Sequence, residues 1–200
     1  MNYLAHVYLS GDNEETIIGN FIADHVKGKA ILGFSDEIRA GILFHREIDQ
    51  FTDAHPLFLK SKKRLSVNYR KYAGVIVDMF YDHFLAANWE EYSNESLEGY
   101  TKRVYKILMK KYLILPRKTK YILPFMAKSN WLMNYGSFEG LNRALSGLAK
   151  RTPFESGMEN ATADLKKDYG LYKQEFRGFF PEVVSFSKGR IQGLKSGKLK

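Results

Sequence analysis

Hydrophobic residues recur through most of this chain at the three- and four-residue spacing of amphipathic helices. The segment 71–89 is apolar on nearly every side, as expected of a helix at the centre of a domain. Strand signals are weak, because the one candidate, 112–115, is short and ends at a proline. The pattern predicts an all-α, single-domain helical bundle over residues 1–200. A helix of about five turns starts at Asp36 behind a Ser35 cap, and further helices are expected at 71–89, 97–113, 117–129, 137–150, 158–177 and 182–194.

The chain contains five prolines, at positions 56, 116, 124, 153 and 181. Proline lacks the backbone N–H and disfavours helix in the residue before it. We therefore expect all five to lie at helix boundaries, with one C-terminal helix ending at Pro181.

Composition narrows the chemistry that is available. The chain has no cysteine, so a metal ion would be held by oxygen and nitrogen, which favours manganese, magnesium, iron or a zinc site without sulfur. No signal-peptide pattern and no apolar run of membrane length is visible. A cytoplasmic protein is the expectation.

Charge is distributed unevenly along the chain. Residues 1–99 have a net charge of −5 and contain all five histidines, whereas residues 100–200 have a net charge of +14. This division predicts a metal-site half at about 1–90 and a basic half at about 100–200 that docks a polyanion. The alternative is that a basic C-terminal tail and solvated helix faces account for the excess.

The first candidate site lies on the helix that begins at Asp36. His45, Asp49 and Asp53 follow one another at i, i+4 spacing, which places an imidazole and two carboxylates along one helix edge. His45 and Asp49 are candidate metal ligands or acid–base groups, and the alternative for Asp53 is a place in the turn that ends the helix. Arg46 points away from this edge and could either clamp a phosphate or form an ion pair.

A second candidate site lies in the apolar helix 71–89. From Tyr72 to Trp89 its ionisable groups besides tyrosine are Asp78, Asp82 and His83, and no lysine or arginine accompanies them. Burying an unpaired carboxylate costs several kcal/mol, and a divalent cation would offset that cost. The alternative is that each aspartate caps a helix or pairs with a distant arginine.

Two shorter pairs precede these clusters. Asn2 and His6 are four residues apart, as are Asn20 and Asp24. Each pair alone is weak evidence, but the repeated i, i+4 spacing of Asn, His and Asp favours a shared site. His25 lies off the Asn20–Asp24 edge and is expected to be structural.

Taken together, these motifs resemble the acyl carrier protein phosphodiesterases (ACP hydrolases). The resemblance is close over about the first 90 residues, and Arg151-x-Pro153 and Phe180-Pro181 match the family's C-terminal half more loosely. The matching motifs, in chain order, are Asn2-x-Leu4-Ala5-His6, Gly19-Asn20-x-x-Ala23-Asp24, His45-Arg46-x-Ile48-Asp49-x-x-Thr52-Asp53 and Asp78-x-x-x-Asp82-His83-Phe84-Leu85.

The resemblance implies a helical fold related to HD-domain metal-dependent phosphohydrolases and a manganese-dependent reaction, with magnesium or iron as alternatives. The reaction releases 4′-phosphopantetheine from holo-acyl carrier protein, a step of fatty acid metabolism. Residues 82–83 run Asp-His, whereas the HD motif runs His-Asp, so which of the implied residues bind the metal directly stays open; the alternatives for Asp24 are a base or a residue that supports a ligand. The implied metal ligands are drawn from His6, Asp24, His45, Asp49, Asp78, Asp82 and His83.

The residues suit phosphodiester chemistry. Arg46 could stabilise developing charge, and Asp24 or Asp49 could position the attacking water, so the catalytic candidates are Asp24, His45, Arg46 and Asp49. The basic half would dock the acidic carrier protein; no membrane partner is expected, and nucleic acid is disfavoured. Two alternatives stay open: an HD-type hydrolase of a nucleotide or small phosphodiester, and a non-enzymatic basic helical module that binds an acidic partner.

Overall fold

The computed structural model describes residues 1–195, so the end of the basic tail, 196–200, lies outside the described residues. Within residues 1–195 the chain forms eleven α-helices and no β-strand, which confirms the all-α, single-domain prediction. The candidate strand at 112–115 is a short 3₁₀ turn, Tyr112–Ile114. The helices are α1 (Tyr3–Leu9), α2 (Glu14–Ile22), α3 (Asp36–Ala54), α4 (Pro56–Tyr69), α5 (Ala73–Ala87), α6 (Leu97–Lys110), α7 (Arg117–Lys128), α8 (Trp131–Asn134), α9 (Phe138–Ala149), α10 (Ala161–Lys167) and α11 (Tyr169–Lys195).

Helix α5 forms the centre of the domain, as its apolar sequence predicts. Eleven of its fifteen residues are buried, and it packs against α1, α4, α9 and α11. Its aromatic rings interlock with those of α11, since Phe80 contacts Tyr172 edge-on and Phe84 stacks on Phe176. Aromatic side chains of this size provide much of the apolar area that a core removes from water.

Within the described residues, no helix combines the length and apolar character needed to cross a bilayer.

Helices α2 and α3 approach each other unusually closely, because glycines face each other across their contact. A Cβ on Gly19 would collide with the Ile38 carbonyl oxygen, and a Cβ on Gly41 would lie 2.6 Å from the Thr16 carbonyl oxygen. Side-chain caps fix where both helices begin: Asn13 accepts from the Thr16 N–H, and Ser35 accepts from the Ile38 N–H, as predicted for α3. The close approach brings the histidine of α3 against the C-terminal end of α2.

Two of the five prolines contradict the expectation that all of them mark helix boundaries. Pro124 lies inside α7, and Pro181 lies inside α11, a single helix of 27 residues. The expected helix at 158–177 is instead split between α10 and the start of α11. Packing explains the continuity of α11, because an apolar face on both sides of Pro181 is buried: Phe176, Phe179, Phe180 and Val183. That burial offsets the hydrogen bond lost at the proline.

Candidate metal centre

Two imidazoles and one carboxylate meet where α1 and α3 converge. His6 Nε2 lies 3.1 Å from Asp49 Oδ1, and His45 Nε2 lies 3.1 Å from Asp49 Oδ2. The two imidazole rings are stacked, with centroids 3.8 Å apart. One potential ligand atom from each residue lies within 4.8 Å of the others. We call His6, His45 and Asp49 the His/Asp cluster; it contains the nitrogen and oxygen donors that the cysteine-free sequence requires.

Asn20 on α2 contacts the side chain of His45 and the backbone of His6. Its backbone oxygen and its Oδ1 lie 2.9 and 3.0 Å from His45 Nδ1. Its Nδ2 donates to the His6 carbonyl oxygen at 3.0 Å and to Ser10 Oγ at 2.9 Å. Because a carbonyl oxygen can only accept, Nδ1 of His45 carries a hydrogen and Nε2 faces Asp49. Partners of this kind orient the ligating nitrogen in metal sites.

Asp24 lies at the edge of the cluster. It belongs to the 3₁₀ turn Ala23–His25 that follows α2, and its Oδ1 is 3.4 Å from His45 Nε2. Its side chain is 66% exposed, compared with 40% for Asp49. Asp24 therefore presents a carboxylate oxygen both to the cluster and to solvent.

The pKa values of the cluster show that it stabilises one positive charge. Burial and the neighbouring charge of His45 lower the pKa of His6 to about 4. Burial also disfavours a charged His45, but hydrogen bonds and attraction from Asp24 and Asp49 raise its pKa to about 9. Although burial alone would raise the pKa of Asp49, its hydrogen bonds to both histidines hold it well below the ordinary value. Asp24 and Asp49 thus attract positive charge to His45, and a divalent metal ion would replace the proton on its Nε2, so the donor set of the cluster fits such an ion.

Asp78 lies beside the cluster without being part of it. Its Oδ1 accepts from the Met1 amino group at 2.8 Å, and that amino group is 3.7 Å from Asp49 Oδ1. Burial raises the pKa of Asp78, while the amino group opposes the shift. Asp53 is exposed in the last turn of α3.

Asp82 lies at the N-terminus of α1. Its Oδ2 accepts from the Leu4 N–H at 2.8 Å, and its Oδ1 from the N–H groups of Asn2 and Ala5 at 3.3 and 3.2 Å. Burial raises the pKa of Asp82 to about 7, against the effect of these hydrogen bonds. The side chain caps the helix that carries His6, which is the alternative left open by the sequence. The structure does not bring Asp82 into the His/Asp cluster. Its role as a metal ligand stays a prediction.

His83 points to another part of the core. Its Nδ1 lies 2.8 Å from the Tyr135 carbonyl oxygen, and its Nε2 lies 3.4 Å from the Tyr169 hydroxyl. Burial lowers the pKa of His83, which favours the neutral ring. The structure does not place His83 beside the cluster, so its role as a ligand also stays a prediction.

Arg46 and His25 each contact a loop or a neighbouring helix. Arg46 is exposed, and its Nη2 donates to the Val26 carbonyl oxygen at 3.3 Å. His25 Nδ1 lies 2.8 Å from Thr119 Oγ1 and so joins the Asp24 turn to α7. The phosphate clamp at Arg46 stays a prediction.

A cleft of about 1650 Å³ opens in front of the cluster. Asp24, His45, Asp49, Asp53 and Asp78 line its acidic end, and the facing wall comes from α7 and α9. Apart from the acidic end, the lining combines apolar side chains with five cations. They are Tyr121, Ile122, Phe125 and Leu148, together with Arg117, Lys118 and Arg143 on α7 and α9, Arg151 after α9, and Lys71 before α5.

The sequence did not single out the cleft cations of α7 and α9 as site residues. Arg117 and Tyr121 are one turn apart, as are Arg143 and Gly147, and this repeating pattern on each helix was the signal available. It could not show that the two faces look toward the cluster, because that depends on how the helices pack.

The cleft is lined by His45 and Asp49, and His6 lies against Asp49; a donor set of this kind is one that metal-dependent hydrolases use. Comparison with known proteins identifies the family. The sequence profile of the acyl carrier protein phosphodiesterase family matches residues 1–183. The chain therefore belongs to this family, as its motifs indicated.

Relatives named acyl carrier protein phosphodiesterase are similar along nearly their whole length. The protein from Photorhabdus laumondii subsp. laumondii is 29% identical over 191 residues, which cover 95% of this chain and 96% of the relative. The Serratia proteamaculans protein is 28% identical, with 95% of this chain and 99% of the relative covered. The Escherichia coli O6:H1 protein is 28% identical, with 92% and 96% covered. No solved structure matches the chain.

Proposed function

We propose that this protein is a metal-dependent phosphodiesterase that releases 4′-phosphopantetheine from holo-acyl carrier protein and returns the apo form. The observation that carries the proposal is the His/Asp cluster at the acidic end of the cleft, in a member of this family. Manganese is the favoured ion, with magnesium or iron as alternatives. We place the activity in cytoplasmic fatty acid metabolism and infer a relation to HD-domain phosphohydrolases.

His6, His45 and Asp49 would hold the ion. When bound, a divalent cation supplies positive charge for the phosphoryl oxygens and lowers the pKa of water. Asn20 keeps Nε2 of His45 directed at the site through the bonds to Nδ1. Asp24 lines the cleft and its exposed carboxylate lies 3.4 Å from His45 Nε2, so we assign it the orientation of the attacking water. Arg46 remains a candidate for stabilising the phosphoryl charge.

The test is hydrolysis of holo-acyl carrier protein by the purified protein with Mn²⁺, followed by mass spectrometry. We expect the carrier protein to lose the mass of the prosthetic group. We expect Asp49→Asn to abolish this loss and to remove copurifying metal, because the cluster then lacks its carboxylate. The control is Asp12→Asn, since Asp12 is 98% exposed and lies outside the cleft. An inactive wild type, or turnover of a nucleotide diester alone, would contradict the proposal.

We assign docking of the acidic carrier protein to Arg117, Lys118 and Arg143, which we call the basic rim. All three are exposed and line the cleft. Charge complementarity of this kind speeds association and selects partners. We expect glutamate at all three positions to raise KM for holo-acyl carrier protein roughly tenfold or more, with little change for a small diester. Acidic residues in the first turn of α7 are favourable, so the variant should fold.

The matched control replaces Lys63, Lys106 and Lys167 with glutamate. These residues are exposed and lie outside the cleft lining. Replacing three cations with glutamate changes the net charge of the protein by the same amount in both triple variants. If both triple variants raise KM to the same extent, overall charge and not the basic rim governs docking.

A further inference from the structure

Arg151 follows the end of α9 and lines the same cleft as Asp24, His45 and Asp49. Its Nε donates to the Gly147 carbonyl oxygen at 3.0 Å. Among the described residues, no ion pair within 4 Å joins the Arg151 guanidinium to a carboxylate oxygen. A guanidinium has five N–H donors, so its terminal nitrogens keep donors available for a ligand.

The backbone around Arg151 is held in place. Its N–H donates to the Leu148 carbonyl oxygen at 3.0 Å, and the Thr152 N–H donates to the Ala149 carbonyl oxygen at 3.1 Å. Thr152 Oγ1 donates to the carbonyl oxygens of Ala149 and Phe154, each at 2.8 Å. The Arg151-x-Pro153 motif is therefore a hydrogen-bonded turn that fixes where the arginine leaves the wall.

Two other cations of the cleft already have neighbours. Lys71 lies 4.6 Å from the centre of the Phe154 ring, and Arg143 lies 3.7 Å from Glu139. Arg46, the clamp expected from the sequence, donates to the Val26 carbonyl oxygen and is not part of the cleft lining. Arg151 is thus better placed than Arg46 to meet an anion inside the cleft.

Tyr3 shows that the charge of Arg151 reaches the acidic end. Burial raises the pKa of Tyr3 to about 12; Asp24 raises it further, whereas Arg151 opposes the shift. One hydroxyl in the cleft therefore feels both Asp24 and Arg151. An anion bound in the cleft would therefore share its lining with His45, Asp49 and the Arg151 guanidinium.

We propose that Arg151 binds the non-bridging oxygens of the substrate phosphodiester from the α9 side of the cleft. The assignment rests on the proposed function, because it takes a phosphodiester as the ligand. A planar guanidinium matches two phosphate oxygens at once and always carries its charge. The charge that builds on those oxygens during hydrolysis is stabilised by the same contact.

The test uses the full-length, Mn²⁺-loaded protein and bis(4-nitrophenyl) phosphate, a diester without a carrier protein. We expect Arg151→Gln to lower kcat/KM roughly a hundredfold and Arg151→Lys to lower it less, since lysine keeps the charge without the fork. Added guanidinium at sub-denaturing concentration should restore part of the Arg151→Gln activity. The control is Lys150→Gln, because Lys150 is exposed and does not line the cleft.

A second measurement, inhibition or thermal stabilisation by inorganic phosphate, does not require turnover. Arg151→Gln should weaken the phosphate effect while metal content stays the same. Unchanged kcat/KM and phosphate affinity in Arg151→Gln, or a loss confined to Arg46→Gln, would overturn the inference. A wild type that binds phosphate through Arg151 but cleaves no diester would support this anion site and contradict the proposed function.

Discussion

Asn20 is a neutral residue, yet it touches both histidines of the candidate metal centre. It contacts His45 through two oxygens and the His6 carbonyl through its amide nitrogen. It is completely buried, so its polar atoms depend on these partners. Its function in the site is therefore orientation of the ligands.

We expect Asn20→Ala to weaken Mn²⁺ binding by roughly 10- to 100-fold, the usual effect of losing a partner that orients a ligand. The free energy of unfolding should also fall by about 1–3 kcal/mol, because buried groups lose their hydrogen bonds. Isothermal titration with Mn²⁺ and urea denaturation measure the two effects.

Asn13→Ala is the control, since Asn13 caps the same helix at its other end. It should cost about 1 kcal/mol of stability and leave the metal affinity unchanged. Equal losses of metal affinity in both variants would show that Asn20 acts only through stability.

At this scale the sequence predicted the contact between His45 and Asp49, because i, i+4 spacing on a helix brings side chains together. The sequence could not show that Asp49 belongs to the candidate metal centre and that Asp82 caps a helix, because both are aspartates beside a histidine-bearing motif. Three backbone N–H groups from a helix 77 to 80 residues away satisfy Asp82, and only the packing of α1 on α5 brings them there.

Helix α9 acts as one wall of the cleft. Gly147 lies in that wall, and a Cβ built on it meets no atom within 4 Å. The position is helical, so glycine is not required by the backbone. The space beside it is therefore open to the substrate.

We expect Gly147→Phe to reduce hydrolysis of holo-acyl carrier protein roughly tenfold or more, because the ring displaces substrate from its productive position. Stability should stay equal or rise by up to about 0.5 kcal/mol, since phenylalanine favours helix more than glycine. Steady-state kinetics and thermal melts measure the two effects.

Gly189→Phe is the control, because Gly189 is likewise a helical glycine beside open space, but it is exposed to solvent and does not line the cleft. It should leave turnover unchanged. An active Gly147→Phe protein would show that substrate does not pass this wall.

Helical periodicity predicted most of the elements, including α3, α5, α6, α7 and α9. The short helices α1 and α2 were indicated only by the spacing of their polar pairs. The continuity of α11 through Pro181 was missed, because the local cost of proline is visible in the sequence whereas the buried face that offsets it is not.

At the scale of the whole molecule, an ion pair between the half-buried Arg64 of α4 and the buried Glu175 joins the last helix to α4. Arg64 donates to both carboxylate oxygens of Glu175, at 2.9 and 2.7 Å, and Ser61 donates to the same carboxylate. Burial alone would raise the pKa of Glu175, but the hydrogen bonds from Arg64 and Ser61 lower it overall. The pair thus links residues more than a hundred positions apart in sequence.

We expect acid to weaken this link. Because the folded pKa of Glu175 lies below the unfolded value, its stabilisation is complete above about pH 5. It is lost as the pH falls through the folded pKa. Urea denaturation between about pH 6 and pH 3 should show a steeper loss in the wild type than in Glu175→Gln. At neutral pH the variant should already be less stable by about 2 kcal/mol or more, because Arg64 loses its partner.

Glu155→Gln is the control, since Glu155 is exposed. It should follow the wild-type profile. If Glu175→Gln does so as well, Glu175 does not contribute to the acid sensitivity.

The sequence by itself determined that the protein is helical, that it belongs to this family, and that His45 and Asp49 share an edge. These properties depend on local spacing and on motifs, which are complete in the linear chain. Only the tertiary structure decided which histidine joins that edge, that Asp82 caps α1, and that Arg151 lines the same cleft as His45 and Asp49. Those outcomes depend on contacts between distant helices, such as the close approach at Gly19 and Gly41, whose geometry no local pattern specifies.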